Sequence, residues 1–153
     1  MNKVEVCAKE VPLPVWAGAA EHYCQLVLER LNLCGRELSV LFCGNRFIRR
    51  LNFQYRGFDN PTDVLSFPYA PLAGEQAGED GFIPAGDIVI SLEELKTNAK
   101  EAGIGADEEL RRLLIHGILH LAGSDHAGNE ATEPMLIQQE MLLKELPPWQ
   151  MTI

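Results

Sequence analysis

No stretch of the chain approaches the roughly 18 consecutive apolar residues of a membrane-spanning helix, so an integral helical membrane protein is excluded. Cysteine is sparse: Cys7, Cys24, Cys34 and Cys43 lie scattered, with no C-x-x-C pair. That argues against a disulfide framework or a zinc–thiolate cluster and predicts reduced, mostly buried thiols. The first residues, Met1 to Val6, have no apolar core behind Lys3 and no small-residue cleavage motif, which predicts a cytoplasmic rather than a secreted chain. Internal repeats, low-complexity tracts and linkers are absent, so residues 1–153 are expected to form one domain. With 46% hydrophobic and 23% charged residues, the composition is that of a globular protein.

Basic residues are also in the minority, 13 against 22 acidic, for a net charge of −9. A chain of that charge has little general attraction for phosphate backbones. The deficit is uneven, however. Residues 30–57 hold Arg30, Arg36, Arg46, Arg49, Arg50 and Arg56 against Glu37 alone, whereas residues 58–153 hold 17 acids and five bases. A basic segment on an acidic body can steer a phosphate ligand locally, although a solvated arginine face has the same composition.

The patterning predicts short strands at Val4–Val6, Glu37–Cys43, Asp63–Phe67 and Gly86–Ser91. Helices are expected at Val15–Leu33, at Arg46–Tyr55 with Asn45 as N-cap and Gly57 as stop, and from Ser91 to about Ala102. Ser91 and Glu94 have the spacing of a capping box. Two more helices follow, Asp107–Ala122 and roughly Asn129–Leu146, the latter stopped by Pro147 and Pro148. Residues 68–84, rich in proline and glycine, read as a long irregular loop. Strands and helices mix without regular βαβ alternation. The expected fold is therefore α+β, a small mixed sheet of about four strands packed with about five helices.

Histidine is rare, yet three of the four fall within eleven residues: His116-Gly-Ile-Leu-His120-Leu-Ala-Gly-Ser-Asp-His126. His116 and His120, four apart on a helix, project from one face. Gly123 can reverse the chain and return His126 to the same point. Three imidazoles with a fourth position open are the ligand set of a catalytic zinc, not of a closed structural one. The spacing matches the metzincin pattern H-E-x-x-H-x-x-G-x-x-H except at Gly117, which stands where the protease keeps its general-base glutamate. A peptidase is the weaker reading. A glycine in mid-helix costs about 0.8–1.0 kcal/mol relative to alanine, which suggests a close approach there.

The same segment resembles the H-G-x-L-H-L-x-G-[aromatic]-D-H pattern of the YbeY endoribonuclease family, the bacterial rRNA maturation factors. The resemblance continues upstream in Leu51-Asn52, Tyr55-Arg56, Pro61–Pro68 and Gly86–Ser91, and downstream in Met135 and Glu140. Ser124 departs from it, standing where the family usually has an aromatic ring. The resemblance implies a zinc-dependent endoribonuclease specific for single strands, acting in 16S rRNA 3′-end maturation and ribosome quality control. It implies one zinc ion on His116, His120 and His126, and Arg56 beside it to stabilise charge on the phosphate. Implied partners are ribosomal RNA in the small subunit, a small-subunit ribosomal protein and the GTPase Era. Arg46, Arg49 and Arg50 are candidates for RNA backbone contacts. Asp125 is a candidate acceptor for an imidazole N–H, or a cap of the turn. Asp63 and Asp87 either line the cleft or serve turns. A metal-dependent hydrolase of another substrate and a non-catalytic assembly factor with a structural metal are the competing readings.

Overall fold

The structure, a computed structural model, describes residues 1–69, 80–126 and 128–149. In chain order the elements are β1 (Lys3–Ala8), α1 (Ala17–Arg30), β2 (Arg36–Cys43), α2 (Asn45–Arg56), β3 (Val64–Pro68), β4 (Ile83–Ser91), α3 (Leu92–Ala102), α4 (Ala106–Leu121) and α5 (Pro134–Glu145). The α+β expectation of a four-stranded mixed sheet and five helices holds. Most of the expected loop at 68–84 lies outside the described residues, but Ile83 and Pro84 belong to β4.

The sheet order is β1-β2-β4-β3, parallel except for β3, which runs antiparallel to β4 at the edge. Alternation along the strands sends residues to two cores. Val40, Phe42, Ile88 and Ile90 face the larger core with α1, α3, α4 and α5. Cys43, Leu65 and Val89 face the smaller one, closed by Ile48 of α2. α4 is the central helix of the larger layer, touching β3, β4, α1, α3 and α5. Its close seating depends on Gly117, because a Cβ there would lie 2.8 Å from Cδ1 of Ile88 in β4.

The helix ends explain two differences from expectation. Asn45 is not the cap of α2; Gly44 occupies that position, and Asn45 is already helical. Its backbone N–H donates to Glu93 at the start of α3, and its side chain joins Ser91 and Glu94. One acidic helix start thus satisfies the other helix's free donor. α5 begins at Pro134, five residues later than expected. A proline within a helix would remove a hydrogen bond and clash with the preceding turn, and it holds Glu133 extended. Residues ahead of it are free to wall the cleft below. Ser91 does cap α3 by accepting from the Glu94 N–H, and Gly57 ends α2 in the left-handed region. No helix among the described residues is long and apolar enough to cross a membrane.

Candidate metal centre

The last two turns of α4 carry His116 and His120 side by side, their Nε2 atoms 3.1 Å apart. Gly123, at φ +98°, then turns the chain in a conformation that costs other residues strain, and His126 comes back onto the pair. Ring centroids lie 4.6, 5.2 and 5.3 Å apart, and one ligand nitrogen from each ring lies within 4.8 Å of the others.

The hydrogen bonds fix which nitrogen that is. His116 Nδ1 meets Oε1 of Gln139 at 2.7 Å, His120 Nδ1 meets the Ser124 carbonyl at 3.1 Å, and His126 Nδ1 meets the Gly128 carbonyl at 2.7 Å. Each partner is an acceptor only, so each neutral ring carries its proton on Nδ1 and presents the Nε2 lone pair. Lone pairs facing each other at 3.1 Å repel unless a cation lies between them. Two nitrogens on a tetrahedral zinc at about 2.0–2.1 Å would stand about 3.3 Å apart, so the residues fit such an ion. Burial lowers the His116 pKa against the opposing pull of Gln139, which favours the neutral, metal-ready ring.

Gln139 is oriented in turn. Its Nε2 donates to Glu140 at 3.1 Å, and Arg112 holds that carboxylate with two hydrogen bonds of 3.0 and 3.1 Å. A carboxylate cannot donate, so the amide nitrogen must face Glu140 and the amide oxygen must face His116. Arg112 holds the Glu140 carboxyl below the usual carboxylate range. Sequence reasoning missed Gln139 and Arg112; a buried glutamine on α5 is a signal only once the helices are packed together.

The histidines open onto a cleft of about 800 Å³ between α4, α5 and the edge strand β3, with Arg56, Asp63, Glu109 and Asn129 on its walls. Asp63 and Tyr69 hydrogen-bond across to the two ends of β4, at Ser91 and Ala85. By the antiparallel alternation, the N–H of Ser66 points outward from the sheet edge, while that of Val64 donates to the Asp63 carboxylate at 2.8 Å. Burial raises the Glu109 pKa, making it a carboxyl in the cleft whose proton is held more tightly than usual.

The other expected residues divide. Arg56 stands on the cleft wall with the three histidines, its guanidinium 5.3 Å from the Phe58 ring. Arg46, Arg49 and Arg50 do not reach the cleft; they line a separate groove on α2. Arg49 is paired with Asp59 and Arg50 with Glu10. Of the two roles expected for Asp125, the structure shows the turn cap and not the imidazole acceptor: its carboxylate accepts from the backbone N–H of His126 at 2.8 Å. All three imidazole N–H groups are taken by other oxygens. Asp63 lines the cleft, whereas Asp87 hydrogen-bonds Ser39 on the sheet. Ser124 contributes its carbonyl, which any residue supplies, so the missing aromatic ring leaves this contact intact. A glutamate at Gly117 would be driven into Ile88, so the metzincin base has no room at this position.

An α+β chain with three histidines converging in an open cleft defines a protein with a candidate catalytic metal centre. The family model described as Endoribonuclease YbeY matches residues 4–147, and the chain belongs to that family. It is 50% identical over 125 residues to the Treponema denticola Endoribonuclease YbeY, covering 82% of this chain and 80% of that protein. It is 43% identical over 145 residues to the Treponema pallidum (strain Nichols) Endoribonuclease YbeY, covering 95% and 90%. The solution structure of TM1509 from Thermotoga maritima superposes with a TM-score of 0.62 at 25% identity, covering 93% of this chain and 87% of that one.

Proposed function

We propose that the protein is a zinc-dependent endoribonuclease that cuts single-stranded RNA in 16S rRNA 3′-end maturation and ribosome quality control, acting in the cytoplasm. The observation that carries this reading is the convergence of three Nε2 lone pairs in an open cleft, in a chain of the YbeY family. His116, His120 and His126 would hold the zinc ion. When bound, zinc supplies Lewis acidity toward a phosphoryl oxygen or a water of lowered pKa. Arg56 presents paired donors to phosphate oxygens as charge builds on them. Gln139 keeps His116 in the tautomer that binds metal. The acidic body favours protein partners over general nucleic-acid binding, in keeping with a small-subunit ribosomal protein and the GTPase Era.

Full-length protein loaded with one equivalent of zinc should cleave a defined single-stranded RNA and leave casein intact. Chelation should abolish cleavage and zinc should restore it. Cleavage that persists in metal-free His116→Ala protein would overturn the proposal, because the activity would not belong to this site.

A further inference from the structure

We propose that Phe53 and Phe58 form a platform on which unpaired RNA bases stack as a strand enters the histidine cleft; the inference rests on the RNA reading above. Large aromatic side chains are ordinarily buried, yet Phe53 and Phe58, within six residues of chain, are 60% and 55% exposed. They bracket Arg56, which lines the cleft with the histidines. Helical spacing sets Arg46, Arg49, Arg50, Phe53 and Arg56 along one stripe of α2, about 15 Å from end to end. Phe53 shares the α2 groove with the first three arginines. The stripe therefore runs from a basic groove to the mouth of the metal cleft.

Phe58 lies against the Arg56 guanidinium, whereas Tyr55, about 200° around α2 from Phe53, packs edge-on against Phe67 of β3 and lies off the stripe. A preordered ring loses little freedom when a base lands on it. Exposed aromatic rings also suit a protein partner, and charge decides between the two. The segment 30–57 carries six arginines against one acid in a chain of net charge −9, and neither Arg46 nor Arg56 has an ion-pair partner among the described residues. Arginines interleaved with aromatic rings are the surface that binds single-stranded nucleic acid, phosphates on the cations and bases on the rings. Bases in a duplex are already stacked on one another and gain nothing from such a platform. Selection of single strands follows from this surface without any base-specific hydrogen bond.

The test uses zinc-loaded, full-length protein and a short cleavage-resistant RNA containing 2-aminopurine, as a single strand and in a duplex. Wild type should bind the single strand more tightly and quench the probe, as stacking requires. Phe53→Leu and Phe58→Leu keep apolar bulk but remove the ring face. Each ring that carries a base should cost about tenfold in single-strand affinity and relieve the quench. Duplex affinity and zinc content should stay unchanged, and in Phe53→Leu, whose ring no cation among the described residues leans on, so should the salt dependence of binding. Phe58→Trp, which enlarges the ring, should retain both binding and quench, and tests the idea even where a leucine variant folds poorly. Unchanged single-strand binding in folded leucine variants, or equal losses for strand and duplex, would overturn the platform and leave the rings as a docking face for protein. Failure of wild type to bind either RNA would instead overturn the RNA reading on which the platform rests.

Discussion

On the α4 side of the sheet, the groups that hold the histidines are committed to one another: three imidazole N–H groups to three oxygens, Gln139 to Glu140, and Glu140 to Arg112. On the α2 side, Arg46 and Arg56 face solvent without an ion-pair partner among the described residues, beside exposed Phe53, Tyr55 and Phe58. The first region is arranged before anything binds. The second leaves its donors and rings available. The difference matches two tasks: a metal ion needs nitrogens fixed to within a fraction of an ångström, whereas a flexible strand needs charge and contact area spread along a track.

The comparison can be broken at its strongest point first. Replacing His120 with alanine removes one of the three ligands. Zinc affinity should fall by more than the about 10–100-fold that losing an outer hydrogen-bond partner costs, as read by metal analysis after dialysis. Unchanged zinc content would remove the site assignment. Arg56→Lys keeps the charge and loses the planar paired donors. It should retain zinc and thermal stability while losing about 10²–10³-fold in single-turnover cleavage. Full cleavage would reduce Arg56 to a positional charge.

Gln139→Leu sharpens the claim that the metal side is prearranged. The side chain is buried and leucine is of similar volume, so the fold should persist. Zinc affinity should drop about 10–100-fold because His116 loses the acceptor that sets its tautomer. Wild-type affinity in this variant would show that the Arg112–Glu140–Gln139 chain is incidental. The smallest effect belongs to the α2 side. Arg46→Gln should lower the salt slope of single-strand RNA binding by about 0.7, the value for one phosphate contact. An unchanged slope would make Arg46 a solvated surface residue.

Much of this was legible before folding. Strand and helix order, the Ser91 cap and the Gly57 stop follow from local residue chemistry, and so does the histidine trio, whose members lie within eleven residues. What escaped depends on groups distant in the chain. Gln139 reaches His116 from 23 residues away, and Arg50 is matched by Glu10 from 40 residues away. No local pattern announces either pair. Asn45 lost its cap role because Glu93, on another helix, supplies the acceptor. Asp125 had two chemically sound partners, and only the turn geometry selects the backbone N–H. The late start of α5 is different, since Pro134 marks it locally.

Protons held on Nδ1 direct three Nε2 lone pairs to one point. Long-range ¹H–¹⁵N spectra of the metal-free protein at neutral pH read this directly, with the exposed His22 on α1 as an internal reference. His116, His120 and His126 should all appear as Nδ1–H tautomers, and one equivalent of zinc should shift their three Nε2 resonances together while His22 stays in place. Nε2–H tautomers in the cluster, or zinc that leaves any of the three Nε2 resonances unmoved, would contradict the account.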